Sequence, residues 1–390
     1  MRNSAERLAV FLLILSTSFF YLVPISIWNS VKIMSLLIII FLVFNLRCLF
    51  KNKGKFTLYI ASFIFLCIGE LIITKLRFNQ GYISLFSMGI YYFVIMLYFI
   101  LVFYKVSRDK IKKVFINLSL ILSILLIAQF IAYEFFGVTF LKIDVGGIQR
   151  FGQVRIGEGA FIISLGIILA VAEVIKRKEI LCRENTINFL SIILGMIDII
   201  FIAKTRSILA FVLLSIGVMM LGSAKNFIQQ LKIVSLSTIA LIVLFSLPIM
   251  SKYQSLNSEK DWSTIARKGA IAYYINQTKE MPLFGVGIIN PSESKEMYDY
   301  TRGPLGIYYR DDVGIIGFLN TFGVIGFIWY IALVIKILAI VFKSIINKSI
   351  RKRPQIIGLA TFFIVCSSTV IFMDPQRIYL LPFILYIIEE

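Results

Sequence analysis

The chain has 390 residues, is 59% hydrophobic, carries a formal net charge of +19 and contains no histidine, and its mean hydropathy is +0.90. A soluble domain is about 45–50% apolar, so this excess has to face lipid. The missing histidine excludes a histidine general base, a histidine triad and an imidazole metal site. The positive charge fits the Lys and Arg excess of polytopic membrane proteins; no basic motif interleaved with stacking aromatics supports a nucleic-acid partner.

Apolar runs of about 18 residues or more read as transmembrane helices, and the ten-residue alternation of an outer-membrane barrel is missing. Spans are predicted at 8–28, 31–46, 56–74, 82–104, 114–136, 160–175, 187–203, 207–222, 231–250, 313–342 and 355–373, with a shorter one at 376–388. The predicted fold is therefore an all-α polytopic membrane protein of about 12 (11–12) transmembrane helices, a single membrane domain over residues 1–390. The first segment lacks a small-residue cleavage site and is followed almost at once by the next, so it reads as a span. Cys48, Cys67, Cys182 and Cys366 are widely spaced, which is neither a disulfide framework nor a zinc site.

With a cytoplasmic N-terminus, the inner segments hold 22 basic residues and the short outer segments nine. Every gap alternates consistently, which predicts both termini inside. Two outer segments stand out. One is 137–159, with "GGIQRFGQVRIGEG". The other is 251–312, which is 62 residues long with a formal charge of zero. It contains "DWSTIARKGAIAYYINQTKE", a predicted helix with Asp261 or Ser263 as N-cap, then a "MPLFGVG" turn and a Tyr-rich stretch ending in "YYRDD". A loop this long is functional or disordered, and its Trp, Tyr and Ile argue against disorder.

Charges are costly in hydrocarbon, so their positions are informative. Glu70, Glu134 and Asp198 fall in the outer halves of spans. Lys204 and Arg206 follow at an outer turn. Arg150, Arg155 and Glu158 lie in the first outer loop, and Arg267, Arg302, Arg310, Asp311 and Asp312 in the second. This pattern predicts an outward cavity with a cationic lining beneath loops 137–159 and 251–312. Guanidinium groups bind phosphate through paired hydrogen bonds, which suits a lipid-borne pyrophosphate and a developing leaving-group charge.

Each residue also has a simpler reading. Arg206 can mark the membrane boundary, and Arg150 and Arg155 can be ordinary outer-loop arginines. Asp311 and Asp312 can cap the following helix or act as a general base. Gly314, Gly317, Gly323 and Gly326 read as close-packing positions rather than ligand contacts. Asp198 is either a proton-relay or cation-coupling group or a structural partner of Lys204 or Arg206. Snorkelling accounts for Glu173 and Lys336.

Four stretches, in order, resemble one family: "QRFGQVRIGEGAF", "AKTRSILAF", "ARKGAIAYYINQTKEMPLFGVG" and "DDVGIIGFLNTFGVIGFIWY". The chain resembles the bacterial O-antigen polymerase/ligase superfamily, specifically Wzy-type polysaccharide polymerases. The resemblance implies a glycosyltransferase that joins undecaprenyl-pyrophosphate-linked oligosaccharide units at the outer face of the bacterial cytoplasmic membrane. It implies no cofactor, neither sugar nucleotide nor tightly bound metal. The implied partners are lipid-linked oligosaccharide and polysaccharide substrates, membrane lipids, and flippase and chain-length regulator proteins of the same pathway. Arg206 takes pyrophosphate by motif match, alongside Asp311 and Asp312 as catalytic candidates. Arg150, Arg155, Arg267 and Arg310 are candidates for substrate binding.

One departure matters. Ligases of the superfamily resemble one another in a histidine near the start of the late re-entering helix, where this chain has Asp311–Asp312. That favours a polymerase over an O-antigen-ligase-type enzyme. The rival from another class is a lipid-linked oligosaccharide flippase or transporter, which should show internal repeats and discontinuous helices; no repeat is visible.

Overall fold

The structure is a computed structural model that describes residues 2–145, 149–150, 153–176, 183–224, 262–347 and 352–390. Among the described residues, seven helices are long and apolar enough to cross a membrane: Ile27–Phe44, Thr57–Phe78, Tyr82–Phe103, Arg108–Phe136, Asn185–Ile202, Arg206–Ser223 and Ile315–Ile346. Each coincides with a predicted span. The predicted span 231–250 lies outside the described residues.

In chain order the helices are α1 (Arg2–Ser16), α2 (Ser18–Tyr21), α3 (Ile27–Phe44), α4 (Arg47–Phe50), α5 (Thr57–Phe78), α6 (Tyr82–Gly89), α7 (Leu97–Phe103), α8 (Arg108–Phe136), α9 (Ala160–Lys176), α10 (Arg183–Ile197), α11 (Arg206–Ser223), α12 (Trp262–Glu280), α13 (Lys295–Arg302), α14 (Ile315–Ile346), α15 (Gln355–Cys366) and α16 (Leu381–Ile388). The strand content among the described residues is one antiparallel pairing, Gln149–Arg150 with Gln153–Val154. The result is an all-helical bundle.

α8 is long enough to cross a membrane: 29 residues at about 1.5 Å each reach about 43 Å. Ser107 caps its start by accepting from Lys110 N. Gly137, at φ 65°, stops it in the left-handed conformation that glycine supplies without a Cβ penalty. α8 packs against α9 and α10, and α11 packs against α9 and α15. An aromatic cluster joins α5 to α14, with the Phe63 and Trp329 rings 4.6 Å apart.

Two predicted spans turn out to be broken. The segment 8–28 is not one helix: α1 ends at Ser16, and Ser18–Tyr21 form a left-handed turn with φ between 47° and 62°. Serine and threonine hydroxyls compete with the helical ladder there. Ser16 donates to Leu13 O, Thr17 to Ile14 O and Ser18 to Ile25 O. The segment 355–373 is helical only as far as Cys366, where the Ser367 and Ser368 hydroxyls bond back to Phe363 O and Val365 O. In the long loop, α12 begins at Trp262, one residue after the expected cap Asp261, which lies outside the described residues.

Candidate functional site: a broken helix and an arginine cluster

The site is organised by a fault in α14. At Gly323 the backbone takes φ 61°, ψ −163°, a conformation essentially confined to glycine. Such a break frees amide and carbonyl groups, which a membrane interior leaves unsatisfied unless protein fills them. The "MPLFGVG" loop fills them. Val286 N donates to Asn320 O at 2.7 Å and Gly287 N to Thr321 O at 3.0 Å. In return, Val324 N donates to Pro282 O at 2.8 Å and Ile325 N to Leu283 O at 3.1 Å. Two motifs that are separate in sequence are thus halves of one hydrogen-bonded unit. The approach is backbone to backbone: a Cβ on Gly285 would lie 2.5 Å from Asn320 O, and one on Gly323 would overlap Leu283 O and Gly285 N.

The loop is stitched to the rest of the bundle on both sides. Arg77 Nη1 donates to Gly285 O at 2.5 Å, and Ile288 N donates to Thr74 Oγ1 at 3.0 Å. Asn290 exchanges two hydrogen bonds with Gln80. Glu293 accepts from Gly81 N and Ser84 Oγ. On the other side, Asn320 Nδ2 donates to Tyr274 O at 3.1 Å and ties α14 to α12. Tyr273 and Tyr274 then donate to Tyr300 O and Thr301 O of α13.

Arg310, Asp311 and Asp312 form a short 3-10 turn just before α14. Gly314, at φ 54°, seats that turn against the backbone of residues 367–369, where Ile315 N donates to Ser367 O at 2.9 Å. Arg310 turns toward the docked loop: its Nη1 donates to Gly287 O at 3.2 Å, and its guanidinium lies 5.9 Å from the Tyr274 ring centroid. Its Nε and Nη2 are out of solvent and have no hydrogen-bond partner. Asp311 accepts from Gln376 Nε2 at 3.3 Å.

Asp312, next in the chain, lies within electrostatic reach of arginines from other elements. Loss of water and the neighbouring Asp311 raise its carboxyl above the usual range, while Arg267, Arg377 and Arg155 pull it back down. Arg155 is held by Ala203 O at 2.9 Å and Thr205 Oγ1 at 3.3 Å, directly before Arg206, the first residue of α11. Burial lowers Arg155 from its ordinary value, with Glu158 opposing, but an arginine at this height stays charged. Arg267 Nε is buried without a hydrogen-bond partner.

Of the residues named from sequence, Arg155, Arg267, Asp311 and Asp312 come together, and Arg310 sits on the far side of the same turn. The Arg150 side chain is outside the described part of the structure. Sequence reasoning missed Asp374 and Arg377. They form a buried ion pair, and Arg377 also lies 4.6 Å from the Phe161 ring centroid. Their signal was an Asp and an Arg three apart in "DPQR", between two apolar runs.

An open cleft lies beside the turn. It is lined by the aromatic residues Trp28, Tyr91, Tyr92 and Phe318 and by Arg302, Arg310, Asp311 and Asp374 among others. Elsewhere, Glu70 and Asp198 are fully buried, with no hydrogen-bond partner on any carboxylate oxygen. Asp198 opens a π-helical turn, Asp198–Ile202. The structural pairing considered for it with Lys204 or Arg206 is not made: Lys204 Nζ instead donates to Val154 O at 2.7 Å. Among the described residues, no group of three or more acidic or cysteine side chains could hold a metal ion.

Residues 191–331 match the family model Wzy_C, described as O-antigen ligase. The matched region starts in α10 and takes in Arg206, Arg267, the docked loop, the Arg310–Asp312 turn and the break in α14; Arg155 precedes it and Arg377 follows it. No curated protein matches the chain. The apolar helices point to a multi-pass membrane protein, and residues 191–331 are similar to a family of O-antigen processing that suggests a glycosyltransferase-like enzyme, consistent with a member of the O-antigen polymerase/ligase superfamily.

Proposed function

We propose that the protein is a polysaccharide repeat-unit polymerase acting on undecaprenyl-pyrophosphate-linked oligosaccharides at the outer face of the bacterial cytoplasmic membrane. The observation that supports this reading is that Arg155, Arg267 and Arg377 all lie within electrostatic reach of Asp312, with Arg377 paired to Asp374. Arginines bind pyrophosphate and stabilise charge developing on it, and the carboxylate beside them can accept a proton. Arg206, next to the residue that holds Arg155, joins Arg155 and Arg267 on the pyrophosphate. The full fold has about 12 transmembrane helices in a single membrane domain with both termini cytoplasmic, and it works with the flippase and chain-length regulator of its pathway.

In the proposed reaction a hydroxyl oxygen of the incoming unit bonds to the anomeric carbon of the growing chain. The bond from that carbon to the carrier phosphate breaks, and its electron pair leaves on undecaprenyl pyrophosphate. The hydroxyl proton passes to Asp312. The arginines neutralise the leaving group, so no metal is required for that role.

The ligase reading draws on the description of the matched family. It predicts a single transfer of a finished chain to a different lipid, whereas a polymerase lengthens the chain. The chain has no histidine, which supports polymerisation. A discontinuous helix is also a transporter feature, but here the loop occupies the freed backbone groups of α14, leaving them unavailable to a cargo. Purified protein incubated with lipid-linked repeat units should produce a ladder of chain lengths. Unchanged units with folded protein would refute polymerisation, and one transfer without lengthening would return the ligase reading.

The base assignment has a pH consequence. A base works ionised, so activity falls as pH drops through the raised value of Asp312. Asp311→Asn removes an anion that raises Asp312, so the acid limb should move to lower pH while activity remains measurable. Asp312→Asn should abolish turnover. A limb that stays fixed in Asp311→Asn counts against Asp312 as the base.

A further inference from the structure

We infer that the cleft beside Arg310 is a subsite for a neutral sugar ring of the incoming unit, distinct from the arginine cluster. The inference rests on the polymerase reading and deepens it by separating where the sugar binds from where the pyrophosphate binds.

Surface chemistry makes the first distinction. The cleft sets Arg302, Arg310 and Asp311 among aromatic rings, and Asp374, which also lines it, is paired with Arg377. A lining of mixed sign among rings suits a neutral ring.

Arg310 supplies the second argument. Its Nε and Nη2 lie out of solvent with no hydrogen-bond partner, although the guanidinium is fixed by Gly287 O. Leaving charged donors unmade is expensive, and because Arg310 lines the cleft a small turn of its guanidinium would offer them to a ligand with acceptor oxygens. Two N–H groups of a planar guanidinium match a neighbouring pair of sugar oxygens. Asp311, steadied by Gln376, adds an acceptor for sugar hydroxyls in the same cleft.

The lining is also aromatic. Trp28 on α3 stands edge-on to Tyr91, centroids 5.9 Å apart, and Tyr91 lies 4.4 Å from Tyr92. An aromatic platform facing a few fixed polar groups is the usual form of a small-molecule site, and aromatic faces cover the C–H face of a pyranose. The cleft also adjoins the base: Asp311 lines it, and Asp312 follows in the chain. A ring seated there brings a hydroxyl toward Asp312 and the cluster that holds the donor pyrophosphate.

The test uses the full-length protein in detergent and two probes: the repeat oligosaccharide freed from its lipid and phosphates, and inorganic pyrophosphate. Calorimetry should detect oligosaccharide binding that pyrophosphate does not displace. Arg310→Gln and Trp28→Ala should each weaken it about 10–100-fold, while Trp28→Phe, which keeps a ring, should retain most of it. Thermal unfolding of each variant establishes that it is folded. Displacement by pyrophosphate, no binding to the wild type, or unaltered affinity in both folded variants would overturn the subsite. The ladder assay separates the two readings. Chain growth with insensitive oligosaccharide binding sinks the subsite alone, and sensitive binding without chain growth sinks polymerisation alone.

Discussion

Replacing Gly323 by alanine should abolish chain growth and lower thermal stability, although Gly323 carries no chemical group. Its φ and ψ belong to a region that costs other residues about 1–3 kcal/mol. The new methyl would also overlap Leu283 O and Gly285 N. Relief requires the loop to withdraw, which opens the four hydrogen bonds linking 282–287 to 320–325. Stranded backbone groups at that depth each cost several kcal/mol. The displaced loop would take Gly287 O from Arg310 and Gly285 O from Arg77, so the site should come apart with it. Melting of the purified variant and the ladder assay together check this. Gly217→Ala is the control, because a Cβ there meets nothing within 4 Å, and it should behave as wild type. A Gly323→Ala protein with normal melting and a normal ladder would show that the loop and the break are not one unit.

The second large effect should come from Arg267. Arg155 spends hydrogen bonds on Ala203 and Thr205, and Arg377 is paired with Asp374. Arg267 Nε has no hydrogen-bond partner, and the proposed function assigns this arginine to the leaving pyrophosphate. Losing one such donor from a charge-stabilising site costs about 100–1000-fold in turnover. Arg267→Ala should show that loss with protein levels and melting intact. Lysine keeps the charge but not the planar fork, so Arg267→Lys should recover only part of it. Single-turnover rates with lipid-linked units measure both. Turnover within a few-fold of wild type in Arg267→Ala would remove this residue from the pyrophosphate site. Arg206→Ala, at the head of α11, should show a comparable loss.

The site was only half legible in the sequence. Arg155, Arg267, Arg310, Asp311 and Asp312 could be named because charged residues at the ends of apolar runs are few, and their order matches a motif pattern. Their arrangement could not be named. Asp311 lines the aromatic cleft, and the charges of Arg267, Arg377 and Arg155 reach Asp312 from other elements. Asp374 fell between two predicted spans and Arg377 just inside the last one, 376–388. Asp198 looked able to pair with Lys204, and only the fold shows that lysine donating to Val154 O.

The sequence by itself determined the membrane character of the chain, seven of its spans, the helix that begins at Trp262 and the order of its motifs. These follow from local properties, because hydropathy and cap chemistry act over neighbouring residues. Tertiary structure alone decided three other things. Apolar runs break at Ser16 and Cys366, where hydropathy is blind to hydroxyls bonding back onto the helix. The turn of residues 282–287 completes the fault in α14, because backbone hydrogen bonds between distant segments leave no periodic trace. Arginines from different loops and helices come within electrostatic reach of Asp312, and such convergence is a property of packing rather than of any one stretch of chain.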